Sequence, residues 1–115
     1  MGDLSRKEVE RRVKHRDPLK ELDLTGMKLD KFNFEGACFS KCKFTGSSFK
    51  DSIIAFSRFD ECLIDECEMQ DCTVQESSFK MCDFSKSDLR DSVFIEVNFK
   101  QAVLHSADLS GTFLK

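Results

Sequence analysis

The chain has 115 residues, a formal net charge of −3, six cysteines, twelve phenylalanines and neither tryptophan nor tyrosine. That length suits one domain with a single narrow core, and the acidic balance leaves no basic footprint for phosphate backbones. No run approaches the roughly 18 consecutive apolar residues that a bilayer-spanning helix needs, so direct contact with nucleic acid or membrane is not expected.

In chain order, residues 1–18 are expected to form a capping helix and its linker. The segment is charged and lacks the apolar stretch of a secretory signal. Ser5 followed by Glu8 has the form of a capping box, Leu4 and Val9 are placed as a hydrophobic staple, and Val9 and Val13 give the helix one apolar edge. Pro18 blocks continuation. So short a helix is marginal alone and must dock. Its expected partner is the open first turn of residues 19–115, around Leu19, Leu22, Leu24 and Met27.

Residues 19–115 carry a different signal. From Leu24 to Leu114 a large apolar residue recurs every fifth position without a slip. Neither the helical period of about 3.6 nor the strand period of 2 produces this, so the segment is a repeat array. Two positions before most of these residues stands a small one, as in Ala37, Cys42, Ser47, Cys62 and Ser87, whereas Leu22, Met27, Phe32 and Val97 are bulkier. One large and one small inward position in five imply a tight tube, with the small residue expected to let the chain turn a corner.

The units Ala37-Cys38-Phe39, Cys82-Asp83-Phe84, Ser87-Asp88-Leu89, Val97-Asn98-Phe99 and Ala107-Asp108-Leu109 resemble those of the pentapeptide-repeat family. The resemblance implies an all-β fold, a right-handed quadrilateral β-helix of four to five coils with four units per coil. On that twenty-residue coil Phe39, Phe59, Phe79 and Phe99 stack as a structural ladder along one wall, and Cys42, Cys62 and Cys82 stack at one inner corner. Coils about 4.8 Å apart give a tube roughly 22 Å long with no interior room for a ligand.

The cysteines do not have zinc spacing: Cys62, Cys67 and Cys72 are five apart, and small core filler explains them. They are expected to be free thiols in a cytoplasmic, bacterial protein. His15 and His105 accompany no nucleophile in a recognisable spacing, and Gly26, Gly36 and Gly46 mark repeat corners rather than a phosphate loop. No enzyme activity, catalytic residue, metal or cofactor is expected.

Two surface features remain. Glu68, Asp88 and Asp108 align as an acidic wall near an acid-rich stretch from Asp60 to Glu76, and the bland account is a solubilising surface. Some pentapeptide-repeat proteins resemble B-form DNA and bind DNA gyrase, which makes a DNA mimic the alternative function. The second feature is apolar: Ile53, Ala55, Phe56, Val93, Ile95 and Phe113 occupy outward positions on one face, where a partner surface is expected. The array reaches Thr112-Phe113-Leu114-Lys115 without a second cap, and an open β edge invites pairing, so a homodimer through the C-terminal coil is expected. The leading expectation is thus a non-catalytic, dimeric protein-interaction scaffold. Leu4 to Val9, with Leu19 and the unit Leu22-Asp23-Leu24-Thr25-Gly26, is also similar to the start of repeat arrays in some bacterial secretion-associated proteins, notably of type VI systems.

Overall fold

A computed structural model describes residues 3–115: one helix, α1 (Arg6–Lys14), then a β-solenoid of about five turns. Its named strands are β1 (Leu19–Lys20), β2 (Cys38–Ser40), β3 (Ile53–Ala55), β4 (Arg58–Asp60), β5 (Thr73–Gln75), β6 (Val93–Ile95) and β7 (Phe113–Leu114). All pairing is parallel, in two sheets ordered β1-β2-β4 and β3-β5-β6-β7, and every register is twenty residues: Leu19 faces Phe39, Phe39 faces Phe59, and Ile54 faces Val74. The turn-to-turn ladder alternates direction, Leu24 N–H donating to Lys43 O at 2.7 Å and Lys43 N–H to Leu22 O at 2.9 Å. Among the described residues no helix is long and apolar enough to cross a membrane.

The repeated apolar residue points inward on every face, and the four inner columns make one continuous core. Phe39, Phe59, Phe79 and Phe99 stack with ring centroids 4.8, 5.2 and 5.9 Å apart and interplanar angles of 26°, 24° and 14°. Rings of adjacent columns meet edge to face, Phe39 on Phe44 at 5.1 Å and 75°. Such contacts add about 0.5–1.5 kcal/mol per pair beyond area burial. Phe99, in the last turn, is only partly buried.

The corner is not made by the small residue. Every fifth residue from Arg16 to Gly111 has φ between 46° and 73°, and only Gly26, Gly36, Gly46 and Gly111 of these twenty are glycine. This left-handed backbone costs a non-glycine residue about 1–2 kcal/mol, which the surrounding ladder has to hold in place. The small inward residue instead ties turns together. Ser47 Oγ accepts from Met27 N–H at 2.9 Å and donates to Leu24 O at 2.9 Å; Ser52 does the same with Phe32 N–H (3.1 Å) and Leu29 O (2.9 Å). Cys67 and Cys72 donate their thiols to Phe44 O and Phe49 O, each at 3.0 Å.

At the N-terminal mouth α1 seals the core. Ser5 caps it by accepting from Glu8 N–H at 3.2 Å. The reciprocal half of the capping box is not made, because the Glu8 carboxylate takes Arg11 at 2.6 Å and Arg12 at 3.2 Å instead. Val9 and Val13 are buried in the core cluster, with Leu4, Leu22 and Met27 packed against it. Phe32 stacks on Phe34 at 4.2 Å, beneath the Arg6 guanidinium.

Candidate functional site

The β3-β5-β6-β7 sheet forms one wall of the tube. Its register places Ile53, Thr73, Val93 and Phe113 in one outward column and Ala55, Gln75 and Ile95 in a second. Outward neighbours at this spacing touch across strands, so the first column is a ladder of β-branched and aromatic side chains on the solvent side. Ile53 is 50 % exposed, Phe113 53 % and Phe56, at the adjoining corner, 56 %; Val93 and Ile95 are half-buried. Ala55 departs from the expectation of an outward apolar residue, since it is buried. Helix α1 does not cover this wall. The groove beside it, about 430 Å³ and lined by residues including Lys14, Lys31, Phe32 and Glu35, belongs to the first turn.

Leu63, Met81 and Val103 are also exposed apolar residues, and Met81 and Val103 carry no signal in the unit pattern. Leu63 and Val103 share a column but are separated by Asp83, and Met81 stands at a corner, so they build no continuous surface. A check of columns rather than units would have found them.

The acidic wall does align, through bridges between the backbones of Glu68, Asp88 and Asp108. Its charge is largely answered in place. Lys50 Nζ lies 3.4 Å from Glu68, and Arg90 forks onto Asp88 at 2.7–3.0 Å and reaches Asp108 at 3.9 Å. The Arg90 hydrogen bond holds the Asp88 carboxyl below its ordinary range, and the Ser110 hydroxyl does the same for Asp108.

Five of the six cysteines are buried, and Cys38 is half-exposed. Burial pushes the Cys67 and Cys72 thiols up to about 12, the opposite of what a nucleophilic or metal-binding thiolate requires. Among the described residues no three His, Cys, Asp or Glu side chains are grouped to hold a metal ion.

The two rims differ. In successive turns the carbonyls of Lys43, Thr45, Ser48 and Lys50 accept from the turn before. The first turn has no such predecessor, and the N-terminal segment supplies substitutes: Asp3 N–H donates to Asp23 O, Arg6 to Lys28 O at 2.9 Å and Asp30 O at 3.0 Å, and Arg16 to Glu35 O. In the last turn the corresponding amides of Leu104, Ser106, Leu109 and Gly111 have no backbone partner among the described residues. Leu104, Leu109 and Leu114 are exposed there, whereas Leu24, Leu29 and Phe34 of the first turn are fully buried.

Comparison with solved structures places this architecture among known proteins. A pentapeptide repeat protein of the Arabidopsis thaliana thylakoid lumen superposes with a TM-score of 0.74 at 12 % identity, over 88 % of this chain and 67 % of that one. QnrB1, a plasmid-mediated fluoroquinolone resistance protein, gives 0.46 at 14 % identity, over 84 % and 65 %. A pentapeptide repeat protein from the cyanobacterium Cyanothece 51142 gives 0.37 at 12 % identity, over 95 % and 99 %. The chain thus spans about two thirds of the first two. No protein of curated function matches the sequence significantly. The pentapeptide repeat region model matches residues 32–109, more than half of the sequence, and the chain belongs to the pentapeptide-repeat family.

Proposed function

We propose that the protein is a non-catalytic scaffold that binds a protein partner on the β3-β5-β6-β7 wall and dimerises through its C-terminal turn. The observation that carries this is the outward Ile53-Thr73-Val93-Phe113 ladder, apolar at Ile53, Val93 and Phe113 and uncharged throughout, at a repeat position that elsewhere holds Lys43, Asp83 or Asp88. Large apolar side chains clustered at outward repeat positions mark a contact. Dimerisation is supported by the unpaired last-turn amides and the exposed Leu104, Leu109 and Leu114. Free buried thiols suit a reducing compartment, and we place the protein in the cytoplasm.

The test uses Ile53→Asp and Val93→Asp in pull-downs from the native host, with circular dichroism as the control. The expected result is a retained fold and a lost partner; retention of the partner by both variants overturns the wall. Light scattering at high concentration is expected to give twice the chain mass, and a monomer there overturns the dimer. Mimicry of DNA has less support, because Lys50 and Arg90 form ion pairs with the acidic column it needs. An effect of added protein on gyrase supercoiling would revive it.

A further inference from the structure

The wall has a charge frame that patterning by units does not display. One of its bordering corners carries Asp51, Asp71 and Asp91 on successive turns, above Lys31; the other carries Phe56, Glu76 and Glu96. These five carboxylates are exposed, and none is in a salt bridge among the described residues. Between them the outward positions from β3 to β6 are uncharged: Ile53, Thr73, Val93, Gln75 and Ile95. An uncharged stripe, apolar at Ile53, Val93 and Ile95 and polar at Thr73 and Gln75, therefore runs along the tube axis between two rows of carboxylates, with Lys115 at its far end.

From this complementarity we propose that the wall takes a basic amphipathic helix of a partner protein, apolar along one stripe and bordered on both sides by Lys or Arg. The proposal rests on the scaffold reading of the same wall. Four strands at about 4.8 Å spacing present a face about 14 Å long, which is the length of a helix of about ten residues. The helical pitch of about 5.4 Å is close to that spacing, so residues at i, i+3/i+4 and i+7 fall near successive strands. Cations bordering that stripe then lie over the two corner columns, where opposite charge steers encounter and fixes orientation. The chain's own basic helix is not the occupant, because its apolar residues Val9 and Val13 are already buried in the core.

The probe is a fluorescent helical peptide of about fourteen residues with leucine along one stripe and lysine on both borders, compared with a copy bordered by glutamate. Binding is read by anisotropy at low and high salt. Only the lysine-bordered peptide is expected to bind, more weakly in high salt, and Val93→Asp abolishes binding. The double variant Asp71→Lys/Glu76→Lys is expected to bind about tenfold more weakly, whereas Glu61→Lys on a remote corner has little effect. The three corner substitutions keep the fold, because Lys31, Lys41 and Lys86 already occupy the same left-handed corner backbone. Equal binding of both peptides, or an equal loss from Glu61→Lys, overturns the helix proposal. So does the absence of any peptide binding while Val93→Asp still abolishes capture of the host partner, and in that case the scaffold reading stands. If Ile53→Asp and Val93→Asp leave host capture intact, the scaffold reading itself falls.

Discussion

At the N-terminal mouth the small inward position is filled by Leu22, Met27 and Phe32, and α1 lies over them; at the C-terminal mouth the same columns hold Ala102, Ala107 and Thr112. The first turn's outer carbonyls accept from Asp3, Arg6 and Arg16, while the amides of Leu104, Ser106, Leu109 and Gly111 in the last turn have no backbone partner among the described residues. Both rims are built from the same repeat, so the difference comes from what packs on them. A β edge whose polar groups are occupied by side chains no longer templates pairing, and an unoccupied one does. The consequence for assembly is directional. In the dimer proposed above, the occupied N-terminal rim leaves the C-terminal turn as the pairing edge. Pairing of that turn with its own copy closes at two, where head-to-tail pairing would run into a filament.

Cutting the ladder tests the gradient most strongly. Phe59→Ala, deep in the stack, is expected to cost about 3–5 kcal/mol in urea unfolding. Phe99→Ala, partly exposed in the last turn, should cost less than half as much; equal losses would show that the C-terminal turn is as well covered as the middle.

Arg6→Ala addresses the sealed rim. Losing the fork onto Lys28 O and Asp30 O is expected to cost about 1–3 kcal/mol and to free a second edge. Light scattering should then find a larger mean mass than for the unaltered protein. An unchanged mass distribution would mean that α1 blocks the rim without Arg6.

Acid probes the same cap more gently. Hydrogen bonds from Arg11, then from Arg12, hold the Glu8 carboxyl at about 2, below its ordinary 4.5. A depressed folded pKa means that the contribution is complete above about 4.5 and disappears as pH falls towards 2. Melting temperature against pH should therefore show an acid limb in this window that Glu8→Gln flattens.

The smallest effect is a labelling order. In native protein an alkylating reagent should modify Cys38 first, since the other five thiols are buried. Of the stacked column, Cys82 should react before Cys62 and Cys42, because fraying begins at the open turn. Labelling from Cys42 upward would reverse the assigned weak end.

Some of this was legible in residue order. The strict period of five, counted in columns of twenty, placed the Phe39-to-Phe99 ladder, the inner cysteines and the outward Ile53, Val93 and Phe113. It worked because parallel coils repeat one register, so residue number modulo twenty is position in space. The corners were legible only at Gly26, Gly36 and Gly46; the same left-handed backbone at Glu61, Met81 or Phe56 has no compositional mark, and the small inward residue does not make the turn.

Sequence alone marked a repeat array, because an apolar period of five fits neither helix nor strand, and the resemblance of its units to the pentapeptide repeat implied the tube. Tertiary structure decided the charges and the rims. Whether Asp88 is a free acid depends on where the Arg90 side chain turns, and whether a carbonyl edge is open depends on Arg6, more than twenty residues away in the chain. Those are matters of side-chain reach in space, on which a repeat pattern places no constraint.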